Sequence, residues 1–328
     1  MALPVMLILS TALWGWILFT DYMLWPCCLL FLLNTYLMVE LNNRHALMRQ
    51  YSRMVSCSYI MMMMMSPWLL KDVKVMGIQF CLLAALSLIF LTYQQRQAMG
   101  QKYWAYVFIG IAMLLWPPAV FLLPLFWIGD AFFLMAFSFR AFFASIFGIL
   151  TPLWLCLPLI FYFFDISAII TQLQALAPGQ ALIDAIHNPI LLLPHEMPVA
   201  LVKIPQMTLV CLTISIGVAH YFRNNQDDKI QVRMVYQFLT LIGMTAMAFL
   251  IIAILLPLQK TPTVDILYAM LIVCNAPILG HFITFASSRI SNTFVFLCIA
   301  LALGITVLLQ IPLTLLPVND AVLHLLAY

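Results

Sequence analysis

Three polar residues lie inside apolar stretches of the sequence, where a side chain that prefers water needs a partner or a purpose. Asp130 lies within one such stretch, and Asn275 and His281 lie on either side of Pro277 in another. A carboxylate in such a place could carry a proton or bind a cation, and a proline removes one helix hydrogen bond and leaves polar atoms beside the gap. We therefore predict that Asp130, Asn275 and His281 line a pathway for a substrate or an ion. The alternatives are that Asp130 lies in a wet funnel or a helix break, and that Pro277 only kinks its helix.

A second group of side chains could perform acid–base chemistry, because histidines and carboxylates are the usual proton donors and acceptors in enzymes. The candidate catalytic residues are Asp21, His187, His195 and Glu196. A metal site at the two histidines would need a third ligand, for which Asp184 is the candidate, and the spacing is too loose to predict one. The sequence contains no glycine-rich phosphate loop, no H-E-x-x-H motif and no G-x-S-x-G elbow. We predict neither a metal nor a cofactor.

The elements that hold these residues must be membrane helices. Of the 328 residues, 66% are hydrophobic and 8% are charged, whereas soluble domains carry about 25% charged residues. The 14 Lys and Arg and the 11 Asp and Glu could not cover the surface of a soluble fold of this length. The net charge of +3 comes from scattered residues, so no nucleic-acid partner is expected. The sequence predicts an all-α polytopic membrane helix bundle that forms one transmembrane domain over residues 1–328.

Charged and turn-rich segments divide the chain into pieces of about 20 mostly apolar residues, the length that crosses a bilayer. The stretch 104–164 has two interpretations, because Trp116, Pro117 and Pro118 form either a tight turn between two short helices or a kink within one helix. The first interpretation gives eleven spans and the second gives ten. The eleven predicted spans are 3–20, 23–39, 54–70, 75–93, 104–117, 119–138, 142–164, 199–221, 236–257, 264–284 and 293–313.

The distribution of Lys and Arg favours eleven spans. With eleven spans and the N-terminus inside, ten of the 14 Lys and Arg residues fall on the inner side and four on the outer side. With ten spans the division is seven and seven. Because Lys and Arg concentrate in the cytoplasmic loops of membrane proteins, we expect eleven spans, with the N-terminus inside and the C-terminus outside.

Residues 165–198 form a long segment between two predicted spans, and they contain no Lys or Arg. Apolar residues from Ile166 to Leu176 recur at helical spacing, and a second short helix is expected from Gln180. Helices with one wet and one apolar face lie in the plane of the membrane interface. We expect an extracytoplasmic amphipathic segment, which is either a lid over a cavity or a connection between the seventh and eighth spans.

Two resemblances add to this prediction. Over roughly residues 100–155, the pattern of Arg140, Gly148 and Pro152, with the short hairpin through Trp116, resembles uncharacterised bacterial multi-spanning envelope proteins. That family implies no reaction and no functional residues. The chain also has a vaguer likeness to membrane glycosyltransferases and polymerases that use lipid-linked sugars and have an acidic residue in the first outer loop, where Asp21 stands here. This loop is only a few residues long and lacks a second acidic residue.

These observations leave three classes of function open. The chain is expected to be a multi-pass protein of the bacterial inner membrane, either a permease-like transporter or a component of an envelope assembly. The third class is a membrane glycosyltransferase or polymerase acting on lipid-linked sugars. The expected partners are membrane lipid, a small-molecule or lipid-linked substrate, and other membrane proteins.

Overall fold

The computed structural model describes residues 2–20, 22–49, 52–163, 197–224, 228–255 and 261–285, with scattered positions between 289 and 304. No strand occurs among these residues, so the prediction of an all-α chain is confirmed over them. Short 3-10 helices lie at Tyr22–Leu24, Pro67–Lys71, Phe90–Thr92 and Pro117–Phe121. The α-helices are α1 (Ala2–Thr20), α2 (Trp25–His45), α3 (Met54–Met64), α4 (Val73–Ile89), α5 (Met99–Leu115), α6 (Leu122–Phe132), α7 (Phe139–Phe163), α8 (Met197–Asn224), α9 (Ile230–Leu255) and α10 (Thr261–Phe285).

Several of these helices have the length and composition of membrane spans. Large apolar side chains such as Phe139, Trp154 and Leu155 are 67–79% exposed, which a soluble surface of this extent does not tolerate. The shorter apolar helices are Met6–Phe19, Met54–Met64 and Pro117–Phe132. Among the described residues, six helices are long and apolar enough to cross a membrane, namely Tyr22–His45, Val73–Thr92, Phe139–Cys156, Pro205–Arg223, Ile230–Ala253 and Thr263–Phe285.

The predicted spans from 3–20 to 264–284 each overlap one α-helix of the structure. The predicted span 293–313 falls largely outside the described residues. Of the predicted interfacial segment 165–198, only residues 197 and 198 are described, as the start of α8. The structure therefore confirms helices that suit a membrane, and the number of spans stays a prediction.

Helix α10 lies at the centre of the bundle. Within Thr263–Phe285, 94% of the residues in an apolar stretch of 18 are buried, against 28–72% for the corresponding stretches of the other five long helices. It packs against α3, α4, α8 and α9. Helix α10 can approach α3 closely because Gly280 has no side chain. A Cβ atom at that position would lie 2.9 Å from the backbone of Val55.

The helix ends gather at two opposite ends of the bundle. We call the first the arginine end, which holds Arg49, Arg96 and Lys102. There the backbone N–H of Gln94 donates to Leu134 O at 2.9 Å, and the hydroxyl of Ser138 donates to Arg96 O at 3.0 Å.

We call the opposite end the Trp68 end, which holds Trp68, Lys203 and Asp265. There the hydroxyls of Ser66 and Tyr268 lie 2.8 Å apart. Helices α3, α5, α7 and α9 begin at the arginine end, and α2, α4, α6, α8 and α10 finish there, so α2 to α7 and α8 to α10 alternate in direction.

The uncertain stretch around Trp116 folds as a hairpin of two helices. Helix α5 ends at Leu115, the 3-10 turn Pro117–Phe121 follows, and α6 returns. The first turn of α5 contacts the last turn of α6 through Lys102 and Asp130, which one kinked helix could not do. Helix α6 has only 11 residues, fewer than a bilayer crossing needs unless the adjoining turn contributes.

Glycines allow α5 and α7 to pack with their backbones close together. A Cβ atom on Gly148 would lie 2.5 Å from Tyr103 O, and one on Gly110 would lie 2.6 Å from Pro152 Cγ. Small residues at helix contacts drive association in membranes, where van der Waals contact replaces the hydrophobic effect. The positions Gly148 and Pro152, which carry one of the resemblances above, thus have a packing role.

The substitution Gly148→Ala is expected to lower the free energy of unfolding by about 1–3 kcal/mol, because the new methyl group must displace a backbone carbonyl. Gly100→Ala in α5 is the matched control, since a Cβ atom there meets nothing within 4 Å. That control should be neutral or stabilising by about 0.5–1 kcal/mol. SDS unfolding in mixed micelles, followed by tryptophan fluorescence, measures both. Equal effects of the two substitutions would contradict the close approach of α5 and α7.

Candidate functional site

A cluster of ionisable and aromatic side chains lies at the arginine end. Its ionisable members are Arg49 from the segment after α2, Asp228 from the residues just before α9, and His281 from the last turns of α10. Arg49 Nε donates to Asp228 Oδ1 at 2.6 Å, and His281 Nε2 lies 3.2 Å from Asp228 Oδ2. The side chains of Asp228 and His281 are each 1% exposed. We call these three residues the arginine-end triad.

Aromatic rings enclose the two buried members of the triad, Asp228 and His281. The ring of Tyr221 lies 5.2 Å from that of His281 and 4.6 Å from that of Tyr236. The guanidinium of Arg49 lies 5.0 Å above the ring of Phe285, which is a cation–π contact. In such a poorly solvated site, a charge interaction is stronger than in water, and an unpaired charge is correspondingly costly.

The Asn275–Pro277 segment lies in the middle of α10, and the helix continues through it. Asn275 Nδ2 donates to Leu271 O at 2.8 Å, within the same helix. Ser58 Oγ of α3 donates to Ala276 O at 2.5 Å. Asn275 is 2% exposed, so in this conformation the segment is packed between neighbours instead of lining an open cavity.

Tyr236 links this segment to the arginine end. Its hydroxyl lies within donor distance of Pro277 O, at 3.4 Å, and of Leu47 O, at 3.3 Å. Because its ring also faces His281, one side chain of α9 contacts the proline region, the triad and the segment after α2. A shift of α10 would therefore disturb all three.

A second buried charge pair joins α5 to α6. Lys102 Nζ lies 2.9 Å from Asp130 Oδ2 and donates to Ala136 O at 2.6 Å. Lys102 is 1% exposed and Asp130 is 3% exposed. Within the part of the chain that the structure describes, Asp130 Oδ1 and the hydroxyl of Tyr106 have no hydrogen-bond partner. The hydrogen bond from Lys102 to Ala136 O also joins the hairpin to the loop that follows α6.

A third pair lies at the Trp68 end. Lys203 Nζ donates to the two carboxylate oxygens of Asp265 at 3.1 and 3.3 Å. The ammonium group lies 5.7 Å from the centre of the Trp68 ring, and that ring stacks on Tyr268 at 6.1 Å. This pair joins α8 to α10 near the N-terminus of α10.

The structure separates the three residues predicted to share a pathway. Asn275 and His281 lie on α10, whereas Asp130 lies in the last turn of α6 with Lys102 as its partner. Phe238 of α9 packs against the site of Asp130, since a Cβ atom on Gly129 would lie 2.1 Å from its ring. The candidate catalytic residues Asp21, His187, His195 and Glu196 lie outside the described residues.

Sequence reasoning missed the partners of these residues. Neither Lys102 nor Asp228 is among the residues predicted to have a role, whereas both are buried in ion pairs. A signal for the first pair was present, because Lys102 and Asp130 are equally distant from Trp116 at the hairpin turn. No such signal exists for Arg49 and Asp228, which are 179 residues apart.

Metal binding has no support in the described geometry. Among the described residues, no three His, Cys, Asp or Glu side chains come together in a way that could hold a metal ion. Comparison with known proteins finds no matching family model, no similar curated protein and no similar solved structure.

Proposed function

We propose that this chain is a permease-like transport protein of the bacterial inner membrane, in which α10 closes the pathway at both ends. The proposal includes eleven spans, with the N-terminus and the arginine end in the cytoplasm. The positive-inside rule supports this orientation, because Arg49, Arg96 and Arg140 all lie at the arginine end.

The observation that carries the proposal is that the central helix α10 contacts a neighbouring element through an ionisable side chain at each end. Asp265 of α10 pairs with Lys203 at the Trp68 end, and His281 of α10 lies 3.2 Å from the carboxylate of Asp228 at the arginine end. Sixteen residues separate the two, which corresponds to about 24 Å along a helix. Opening at either end would bring these groups into contact with water, which offsets part of the free-energy cost of separating them.

The position of Pro277 supports the same proposal. A proline inside a membrane helix removes one backbone hydrogen bond, and interrupted helices of this kind border the substrate sites of many transporters. In α10 the proline lies nearer to the arginine end, between Asn275 and His281. Helix α10 could bend there, so that one end moves while the other stays paired.

Native Cys274 offers a test, because it lies in the middle of α10 and is 0% exposed. With the other cysteines replaced, a membrane-impermeant maleimide should label Cys274 only slowly from either side of a vesicle. Asp228→Asn should raise the labelling rate about tenfold or more, from the arginine-end side only. A tenfold increase corresponds to a free energy of opening that is lower by about 1.4 kcal/mol. Lys203→Met should raise it from the Trp68-end side only.

Glu40→Gln is the control, because Glu40 pairs with exposed Arg44 at the surface of α2. A static component of an envelope assembly would show a loss of stability without any sided change in labelling, and that result would refute the transport proposal. The enzyme alternative rests on Asp21, His187, His195 and Glu196 and stays a prediction from the sequence.

A further inference from the structure

An apolar crevice of about 340 Å³ lies between the α5–α6 hairpin and helices α9 and α10. Its wall includes Trp116 and Phe121 of the hairpin turn, Ala246 and Phe249 of α9, and Leu267 of α10. Its volume is at the low end of the range for ligand sites, roughly 300–1,000 Å³. It is therefore large enough for one flexible chain and small for a bulky molecule.

The wall of the crevice offers almost nothing to a polar ligand. Thr245 is one of its few polar residues, and its hydroxyl already donates to Ile242 O at 2.8 Å and lies 3.0 Å from Leu241 O. Apolar cavities of this kind stay free of ordered water and accept apolar molecules. The ligand class that fits is a hydrocarbon.

The crevice is elongated, and its length matches one leaflet of a bilayer. Along α9 it extends from Ile242 to Ala253, a run of 12 residues whose ends lie about 16 Å apart along the helix. Half of the hydrocarbon core of a bilayer is about 15 Å. The crevice begins at the Trp68 end, beside Trp116 and Thr263, and tryptophan favours the headgroup level of a membrane.

The rim of the crevice faces outward. Phe121, Phe249 and Ile252 are 58%, 44% and 45% exposed, and all three line the crevice. In a chain that lies in a membrane, such a rim opens sideways to lipid. A lipid tail can therefore enter from the leaflet without crossing water.

We propose that this crevice binds one acyl chain of a phospholipid from the leaflet at the Trp68 end. The site holds its chain whether or not the protein transports a substrate, so this inference does not rest on the proposed function. A lipid bound here differs from the lipids of the surrounding bilayer, because the concave wall of the crevice contacts its acyl chain on several sides and excludes neighbouring chains.

The test uses full-length protein purified in mild detergent from membranes rich in phosphatidylethanolamine, with bound lipid counted by native mass spectrometry. The wild type should retain one phospholipid per chain. Ala246→Phe fills the crevice and should reduce that retention by about tenfold. Ala248→Phe is the matched control, because Ala248 lies on the exposed face of the same helix, and it should retain lipid as the wild type does. Equal retention by the two variants would overturn the proposal.

A second measurement needs no substitution. Wild-type protein is reconstituted with a phospholipid that carries a photoreactive diazirine in its acyl chain, and the adducts are mapped by peptide analysis. Adducts should concentrate on peptides that carry Phe249 and Leu267. Adducts of equal yield on Trp154 and Leu155, which are exposed on α7, would show a general lipid shell and would overturn the proposal even if Ala246→Phe fails to fold.

Discussion

Replacement of Arg49 by methionine is expected to lower the free energy of unfolding by about 3 kcal/mol, because it leaves the carboxylate of Asp228 buried without its strongest partner. Asp228 has a side chain that is 1% exposed, so water cannot take the place of the guanidinium. His281 can compensate only in part, since it offers one ring nitrogen where Arg49 offers a charged hydrogen bond.

The reverse substitution should cost less. Asp228→Asn leaves Arg49, whose side chain is 34% exposed and can turn toward water. We expect a loss of about 1–2 kcal/mol for this change. The two substitutions should also be non-additive, with a coupling of at least about 1 kcal/mol, because both remove the same contact.

Arg44→Met provides the matched control for Arg49→Met. Arg44 lies one turn from Glu40 on α2, and the side chains of this pair are 54% and 28% exposed. Exposed pairs contribute about 0–1 kcal/mol, so the control should change stability by no more than that. If Arg49→Met and Arg44→Met have equal effects on SDS unfolding, the arginine-end triad does not support the fold.

Hydropathy alone predicts most of the helices of this chain, because a helix in a membrane is recognisable from its own composition. The hairpin at Trp116 could also be predicted from the sequence, since the distribution of Lys and Arg favoured two helices over one. Helix ends were less accurate, as in α2, which extends to His45 where the sequence suggested an end at 39. Polar residues such as Asn42 and His45 end an apolar run, yet they are buried here between helices.

The charge pairs were harder to predict because their members approach only when the whole bundle packs. Lys203 and Asp265 are 62 residues apart and lie near the ends of different helices, where charges are common for other reasons. Asp228 follows Asp227 in a polar loop and looks solvated in sequence. Its burial depends on where the segment after α2 and the end of α10 meet, which no local pattern encodes.

The largest change is expected at the Lys102–Asp130 pair, whose members are both almost inaccessible. Lys102→Met should lower the free energy of unfolding by about 3–5 kcal/mol, since it leaves a buried carboxylate and removes the donor to Ala136 O. Asp130→Asn should cost about 2–4 kcal/mol, because an ammonium group then lacks its counter-ion. Lys74→Met, at an exposed lysine in the first turn of α4, should be within about 0.5 kcal/mol of the wild type.

The double variant Lys102→Met with Asp130→Leu separates a structural role from a functional one. Two apolar side chains can replace a buried ion pair with little loss of stability, so this protein should unfold within about 1–2 kcal/mol of the wild type. If Asp130 serves only to hold α6 against α5, the double variant keeps the sided labelling of Cys274 in response to Asp228→Asn. If Asp130 also carries a proton or a cation, the double variant is stable and that response is lost, because leucine can do neither. A double variant as unstable as Lys102→Met alone would show that the pair does not act as a unit.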